Sequence, residues 1–286
     1  MYLEQITEAI FFHLQNIALL SFNQDSDYKD IISPFTRLYL ITEGCGSLVI
    51  GNKQIPLEAG NLYLIPSFTS CSYHFSAGLS HYYIHFSMDQ LNGLNPYSLF
   101  SITNNIEANE LDYNLFQRIL QINPDLQLPH HHPSVYQTKP WINKKVDFHT
   151  AGRHLETIGI LKQLFSRFLE PGHNYPVTNM LKYNIQPILL YIRNHLEQHI
   201  SVDEMACIAC FSKDHFSRVF KTITGLSPCD YIISKRIERA QFLLLATDLS
   251  LNQILDQTGF RSASYFSRIF RKQTAYSPKQ YRLQRG

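Results

Sequence analysis

The chain has 286 residues, with 25 Lys/Arg against 23 Asp/Glu and a formal net charge of +2. Hydrophobic residues make up 44% and charged residues 17%, with 17 Tyr and 19 Phe, which excludes wholesale disorder and predicts folded cores, two domains at this length. No apolar run approaches about 18 residues, which argues against a spanning helix, and the acidic start MYLEQITEAIFFHLQN does not read as a secretory leader. Five scattered cysteines (Cys45, Cys71, Cys207, Cys210, Cys229) build no disulfide framework, so a reducing, cytoplasmic home fits best.

Residues 2–20 read as a short amphipathic helix and 21–34 as a polar connector. From 35 to 88, short apolar runs (RLYLIT, SLVIG, NLYLIP, CSYHFS, HYYIHFS) rich in aromatic and β-branched residues alternate with turn residues. That texture predicts a compact β-sandwich or barrel, with hairpin turns at Gly44/Gly46 and at Ala59-Gly60-Asn61. Residues 105–122 carry Leu111, Leu115, Ile119 and Ile122 at helical spacing. The Pro-rich stretch 123–150, with His130-His131-His132, reads as a loop. A second helix over 154–170 places Leu155, Ile158, Leu161, Leu164, Phe165 and Phe168 on one stripe, either packed within the subunit or forming a dimer seam. Pro171–Thr178 is the linker candidate.

Charge is uneven along the chain. From Leu181 to Gly286 there are 15 basic and 8 acidic side chains, a net of +7, while the rest carries −5. Such polarity suggests that one end faces a polyanion.

That basic end is internally duplicated. A shift of 50 lays Phe216-Ser217-Arg218-Val219-Phe220-Lys221 on Phe266-Ser267-Arg268-Ile269-Phe270-Arg271, Ser227-Pro228 on Ser277-Pro278, and Tyr231 on Tyr281. Upstream the shift is 49: Ser201 and Glu204 lie on Ser250 and Gln253, and Phe211 lies on Phe260. Each copy predicts a short capped helix, a tight turn, and a second helix that Ser212 or Ser262 can cap. The second helices have an apolar side (Phe216, Val219, Phe220; Phe266, Ile269, Phe270) and a polar, basic side, the helix-turn-helix pattern. The exposed faces are Lys213, Asp214, Ser217, Arg218 and Lys221, then Ala263, Ser264, Tyr265, Ser267, Arg268, Arg271 and Lys272. Arg at a helix face can pair bidentately with guanine in a major groove, whereas Lys221, Arg271 and Lys272 suit phosphates. Between the copies, Ser227-Pro228 opens a long helix to about Ala246, about 27 Å at 1.5 Å per residue, so the two heads can enter successive grooves.

Residues 185–283 resemble the DNA-binding domain of AraC/XylS-type transcriptional regulators. The resemblance rests on Phe211-Ser212, Phe216 through Lys221, Thr224-Gly225-Leu226-Ser227-Pro228, Arg236-Ile237, Ala240, Gly259-Phe260, Tyr265 through Lys272, and Ser277-Pro278-x-x-Tyr281-Arg282. Leu255 departs from the small Ala usual in the family, and Cys210 replaces the Gly expected before Phe211. The resemblance implies double-stranded promoter DNA as a partner, a regulator or activator role with RNA polymerase contact, a homodimer, and Asp214 and Arg218 as leading specificity residues.

Residues 35–88 resemble the cupin-like effector domain of the same regulators, through Leu38-Tyr39-Leu40, Gly44-x-Gly46, Leu57-x-x-Gly60-Asn61-Leu62-Tyr63-Leu64-Ile65-Pro66 and Tyr82 through Phe86. That implies a small-molecule effector, a sugar or other metabolite. Alternation puts His81, Tyr83 and His85 on one strand face. Together with Tyr73, Arg37 and Tyr39, they are the candidate cavity lining. An aromatic core without ligand, in a front half that only dimerises, is the alternative.

A metal-dependent cupin enzyme is the remaining reading. His81 and His85 stand four apart, however, with no Glu following in place. Cys207-x-x-Cys210 has no second pair and reads as small buried thiols, and the His130–His132 run reads as an exposed loop. No nucleophile-elbow, phosphate-loop or dinucleotide fingerprint appears, so no catalytic residue, metal or cofactor is assigned and no enzyme is expected. The expected architecture is α+β: 1–175 a cupin-like β-barrel with trailing helices, for effector binding and dimerisation, and 176–286 an all-α tandem helix-turn-helix domain.

Overall fold

Alternation of aromatic and β-branched residues with small polar ones builds strands through the first hundred residues: β1 (Ile10–Ser21), β2 (Ser26–Ile31), β3 (Thr36–Glu43), β4 (Cys45–Ile50), β5 (Lys53–Glu58), β6 (Asn61–Ile65), β7 (Cys71–Phe75), β8 (Ser80–Gln90) and β9 (Asn105–Glu107). They form two sheets, of order β1-β8-β3-β6-β9 and β2-β7-β4-β5. The structure is a computed structural model that describes residues 7–8, 10–51, 53–90, 97, 100–128, 150–170 and 185–283.

The segment expected to be an amphipathic helix is strand β1 from Ile10 onward, and β2 occupies part of the expected connector. In β1, Ile10, Phe12, Leu14, Asn16 and Ala18 are buried. Apolar Phe11, Ile17 and Leu19 fill the alternate positions and mask that period of two. Two expected hairpins are corners instead. Gly44 joins β3 to β4 and Gly60 joins β5 to β6, each pair of strands lying in different sheets. Gly44 has φ of 72°, and a Cβ there would stand 2.6 Å from the Leu79 Cα, so the corner excludes any side chain.

Strand β3 is buried on both faces. Leu38 and Leu40 share a face with Ile84, Tyr82, Leu62 and Leu64 of its neighbours, and Arg37, Tyr39 and Ile41 share the other with His85, Tyr83 and His81. The first face is covered by helices α1 (Glu110–Ile122) and α2 (Ala151–Ser166), with Tyr82 5.9 Å from Phe116 and Phe12 5.6 Å from Phe165. The second faces the other sheet, where the Tyr39 hydroxyl donates to that of Tyr73 at 3.3 Å.

Both helices start later or sit differently than their apolar spacing predicts. Strand β9 takes residues 105–107, and an Asn109–Asp112 capping box sets the start of α1. Asp112 is buried and accepts from Arg167 Nε at 3.2 Å, so the inward stripe is Asp112, Phe116 and Ile119, and Leu111 is half exposed. In α2, Thr150 caps the Arg153 amide and Leu161, Leu164 and Phe165 are buried, followed by Phe168, while Leu155 is 70% exposed. The inward stripe of α2 is thus Thr157, Ile160, Leu161, Leu164 and Phe165, out of phase with Leu155. Within 123–150, Pro124–Leu126 forms a single 3-10 turn. His130–His132 and the linker candidate lie outside the described residues.

Beyond residue 184 the chain is helical: α3 (Gln186–Asn194), α4 (Val202–Ile208), α5 (Lys213–Thr224), α6 (Pro228–Ala246), α7 (Leu251–Thr258), α8 (Ala263–Thr274) and α9 (Pro278–Leu283). Contacts divide the described residues into two units, one built mainly from 12–88 and 101–170 and the other mainly from 185–282. No helix among the described residues is long and apolar enough to cross a membrane.

Candidate nucleic-acid interface and barrel cavity

The two helix-turn-helix units repeat each other in detail. Ser201 accepts from the Glu204 amide at 3.1 Å while Glu204 accepts from the Ser201 amide at 3.0 Å, and Ser250 with Gln253 forms the same box. Each box satisfies amides that a helix start leaves without intrahelical partners. At the end of α4 the Cys210 amide bonds the Cys207 carbonyl at 3.0 Å and the Phe211 amide bonds the Ala206 carbonyl at 2.9 Å. This is a Schellman ending, with Cys210 at φ of 55° in the place usually held by Gly. In the second copy the residue is Gly259, at φ of 70°.

The second helix of each copy follows at once. Ser262 accepts from the Tyr265 amide at 3.3 Å, as expected, whereas Ser212 starts α5 without a side-chain cap bond. The apolar faces are nearly superimposable: Phe216 to Phe220 is 5.4 Å at 52°, and Phe266 to Phe270 is 5.3 Å at 50°. Each pair meets a tyrosine edge-on, Phe220 with Tyr231 at 5.3 Å and Phe270 with Tyr281 at 5.1 Å. All four phenylalanines have no exposed surface, a burial that contributes about 1.5–3 kcal/mol per side chain.

The opposite faces are open. Lys213, Asp214, Arg218 and Lys221 of α5 are exposed and Ser217 is partly so. On α8, Ala263, Ser264, Tyr265, Arg268, Arg271 and Lys272 are exposed, with Ser267 partly so. Several of these groups already have local partners. The Lys213 ammonium pairs with Asp203 at 2.8 Å, the Ser217 hydroxyl donates to the Lys213 carbonyl at 2.8 Å, and the Arg268 guanidinium lies 5.6 Å from the centre of the Tyr265 ring. Arg218 makes a 3.4 Å contact to the Asp214 carbonyl and stands in solvent. Between the units, α6 is a 19-residue rod, about 28 Å long.

In the two-sheet domain a cavity of about 40 Å³ lies between the sheets. Five of the six candidate residues line it: Tyr39, Tyr73, His81, Tyr83 and His85. Arg37 does not. Its fully buried guanidinium lies to one side, donating to Cys71 Sγ at 3.1 Å and to the Thr69 carbonyl at 3.0 Å, 5.7 Å from the centre of the Tyr73 ring. Leu20, Phe22, Tyr28, Phe75 and Leu128 complete the lining. Phe75 shares the face of Tyr73 two residues away, a signal the alternation carries. Leu20, Phe22 and Tyr28 come from the segment whose strands the sequence hides.

Burial keeps three tyrosines and His85 of the lining uncharged at neutral pH. Burial pushes the Tyr39 and Tyr83 phenols up to about 12 and that of Tyr73 well above its ordinary value. Burial holds His85 well below the ordinary imidazole range, and the nearby Arg37 charge and His81 add to the depression. The Tyr83 hydroxyl accepts from the Leu128 amide at 3.1 Å, which ties the chain after α1 to the cavity wall. The result is a small pocket of aromatic faces, phenols and neutral imidazole, with one buried positive charge beside it. Among the described residues no cluster of three or more His, Cys, Asp or Glu could hold a metal. Cys207 and Cys210 are exposed free thiols, a correction to the buried pair that the sequence suggests: the Schellman turn lies at the surface.

A two-sheet domain with an internal pocket, followed by paired helix-turn-helix units, defines a class of DNA-binding fold joined to a ligand-binding module. An AraC-like ligand binding domain model matches residues 18–104 and a helix-turn-helix domain model matches 205–284. The chain belongs to the AraC family. The probable transcriptional regulator LumQ of Photobacterium leiognathi is 35% identical over 93 residues, 32% of this chain and 38% of that protein. The right origin-binding protein of Escherichia coli K12 is 36% identical over 98 residues, 34% of each chain. The match therefore spans little more than a third of either relative's length. Among solved structures, ToxT from Vibrio cholerae aligns over 96% of this chain and 98% of its own at 14% identity, with a TM-score of 0.47.

Proposed function

We propose that the chain is a sequence-specific transcription regulator that reads promoter DNA with α5 and α8 and binds a small-molecule effector between its sheets. The observation that carries the DNA reading is the duplication: two helices of the same build, each with a buried phenylalanine pair behind and an exposed arginine and lysine face in front. Arg218 and Asp214 are assigned to base edges in the first unit, with Tyr265, Ser267 and Arg268 in the second. Lys213, Ser217, Lys221, Ala263, Ser264, Arg271 and Lys272 are assigned to backbone contact. Division at about residue 175, a homodimer, contact with RNA polymerase and a cytoplasmic site of action belong to the same proposal, which involves no catalysis.

For the effector, the lining supports a small ligand with hydroxyl or carbonyl groups and an apolar face, a sugar or another metabolite. Neutral phenols and imidazole can exchange hydrogen bonds with such a ligand, and the Arg37 charge disfavours a cation. A volume of about 40 Å³ holds on the order of three waters, so a metabolite enters only if side chains of the wall move. The same volume favours the second reading, in which the two-sheet domain dimerises and senses nothing.

Footprinting with the full chain tests the first reading: a protected stretch of about 20 base pairs per subunit, lost steeply as salt rises, is the expected result. Equal affinity for every sequence would overturn it. A metabolite panel scored by thermal shift on the full chain separates the two readings of the front half, since a ligand that raises the melting temperature requires an occupied pocket.

A further inference from the structure

We propose that Arg236 is a positioning residue that locks the two helix-turn-helix units into one fixed spacing. This rests on the reading of both units as DNA-reading heads, and it adds the residue that sets the distance they read. Arg236 lies near the middle of α6 and touches both copies. Toward the first, its Nε donates to the Leu196 carbonyl at 2.9 Å and its Nη2 to the Gln198 carbonyl at 2.6 Å, both just beyond the end of α3. Toward the second, its guanidinium carbon lies 6.0 Å from the centre of the Phe260 ring, in the turn between α7 and α8.

Gly259 closes this seam. A Cβ at Gly259 would stand 2.4 Å from the Leu196 carbonyl oxygen and 2.8 Å from Arg236 Nη2. The turn of the second unit is therefore pressed against the end of α3 and against the guanidinium, with no room for a side chain. Neighbouring contacts brace each flank of the rod. Arg239 reaches Glu197 at 4.0 Å on the first side. On the second, Gln241 donates to the Tyr281 hydroxyl at 2.7 Å. The planar guanidinium fork suits two carbonyls in one plane with a ring over its face, whereas an ammonium is a point donor that cannot do both. A seam so built makes the two heads one rigid body, and the separation of their half-sites becomes part of what the protein recognises.

Selection from random duplexes by the full wild-type chain supplies the operator, and a single base pair is then inserted between its two blocks. For wild type, the insertion is expected to weaken binding about tenfold or more, the scale of a lost base contact. Arg236→Gln, and Arg236→Lys more mildly, is expected to keep both blocks but reduce that penalty to about threefold or less. Circular dichroism confirms that the variants are folded. If Arg236→Gln does not fold, Phe260→Leu opens the seam from the other side of the guanidinium and is held to the same expectation. A folded Arg236→Gln or Phe260→Leu with the full wild-type penalty overturns the proposal, as does a wild type that tolerates the insertion. Selection that enriches no sequence at all overturns instead the DNA reading beneath it.

Discussion

Cys210 and Gly259 occupy the same place in the two helix-turn-helix copies, and both stand in the left-handed region, at φ of 55° and 70°. A side chain in that conformation costs about 1–2 kcal/mol, a penalty Gly escapes. Cys210→Gly is therefore expected to stabilise the chain by about 0.5–1 kcal/mol after the extra unfolded-state entropy of Gly is subtracted. Gly259→Ala is expected to destabilise by more than about 2 kcal/mol, because it adds a clash with the Leu196 carbonyl to the same strain. Urea unfolding of both variants checks the signs. Stabilisation of neither turn by Gly would mean that φ at these positions carries no cost.

The two kinds of exposed cation should separate in binding assays. Arg218→Ala is expected to cost about 1–3 kcal/mol on the selected operator and little on unrelated DNA, since its fork can reach a base edge. Lys272→Ala is expected to weaken all sequences alike and to reduce the slope of log affinity against log salt by about 1. Fluorescence anisotropy at several salt concentrations measures both. An Arg218→Ala variant that loses affinity equally on every duplex refutes its assignment to base reading.

His85 makes stability depend on pH in a definite direction. Its folded-state pKa is depressed by burial, by Arg37 and by His81, so at mildly acidic pH the unfolded chain takes up a proton that the folded chain refuses. The stabilisation is complete above the unfolded value, about 6.5, and is lost as pH falls below it, at up to about 1.4 kcal/mol per pH unit. Urea midpoints measured from pH 7.5 to 5 should fall accordingly. His85→Gln, which keeps polar atoms but does not titrate, should flatten part of that fall, and an unchanged profile would contradict the assignment.

Asp112 joins three parts of the front domain. It caps α1 through the Asn109 amide at 2.9 Å, is 1% exposed, and accepts from Arg167. Asp112→Ala removes its half of the capping box, leaving the Asn109 side-chain bond to the backbone, and strips a partly buried guanidinium of its carboxylate, an expected loss of about 2–4 kcal/mol. Asp112→Asn retains an acceptor for the cap and should lose less. The two denaturation curves, compared at one pH, decide this.

The helical end was legible in the sequence because it says the same thing twice. Offsets of 49 and 50 align the caps, the turns and the phenylalanine pairs, and the structure reproduces all of them but the Ser212 side-chain cap. The left-handed Cys210 was visible as a departure from Gly, though its exposure was not. The front domain was read less completely. Alternation in β8 placed His81, Tyr83 and His85 at the cavity, because register follows from side-chain parity, and Tyr39 of β3 and Tyr73 of β7 complete the five of six candidates that line it. Strand β1 was hidden by Phe11, Ile17 and Leu19, apolar residues at the positions between its alternating buried ones, of which Ile17 is itself buried. Gly44 and Gly60 signal a reversal of direction, but whether a strand returns to its own sheet or crosses to the other depends on tertiary pairing that no local pattern encodes. The outward turn of Leu111 and Leu155 follows from the pairing of Asp112 with Arg167 and from the burial of Thr157 against Asn123, both of which depend on partners far along the chain.

The 19-residue α6 has one more implication. Each residue of an α-helix advances the chain by about 1.5 Å and turns it by about 100°. Adding or deleting one amino acid between Pro228 and Ala246 would swing everything after it through more than a right angle, and only changes of three or four restore the heading approximately. Divergence in this rod is therefore ratcheted: neighbouring operator lengths cannot be explored by gradual drift, and a lineage must jump whole turns or leave the rod untouched.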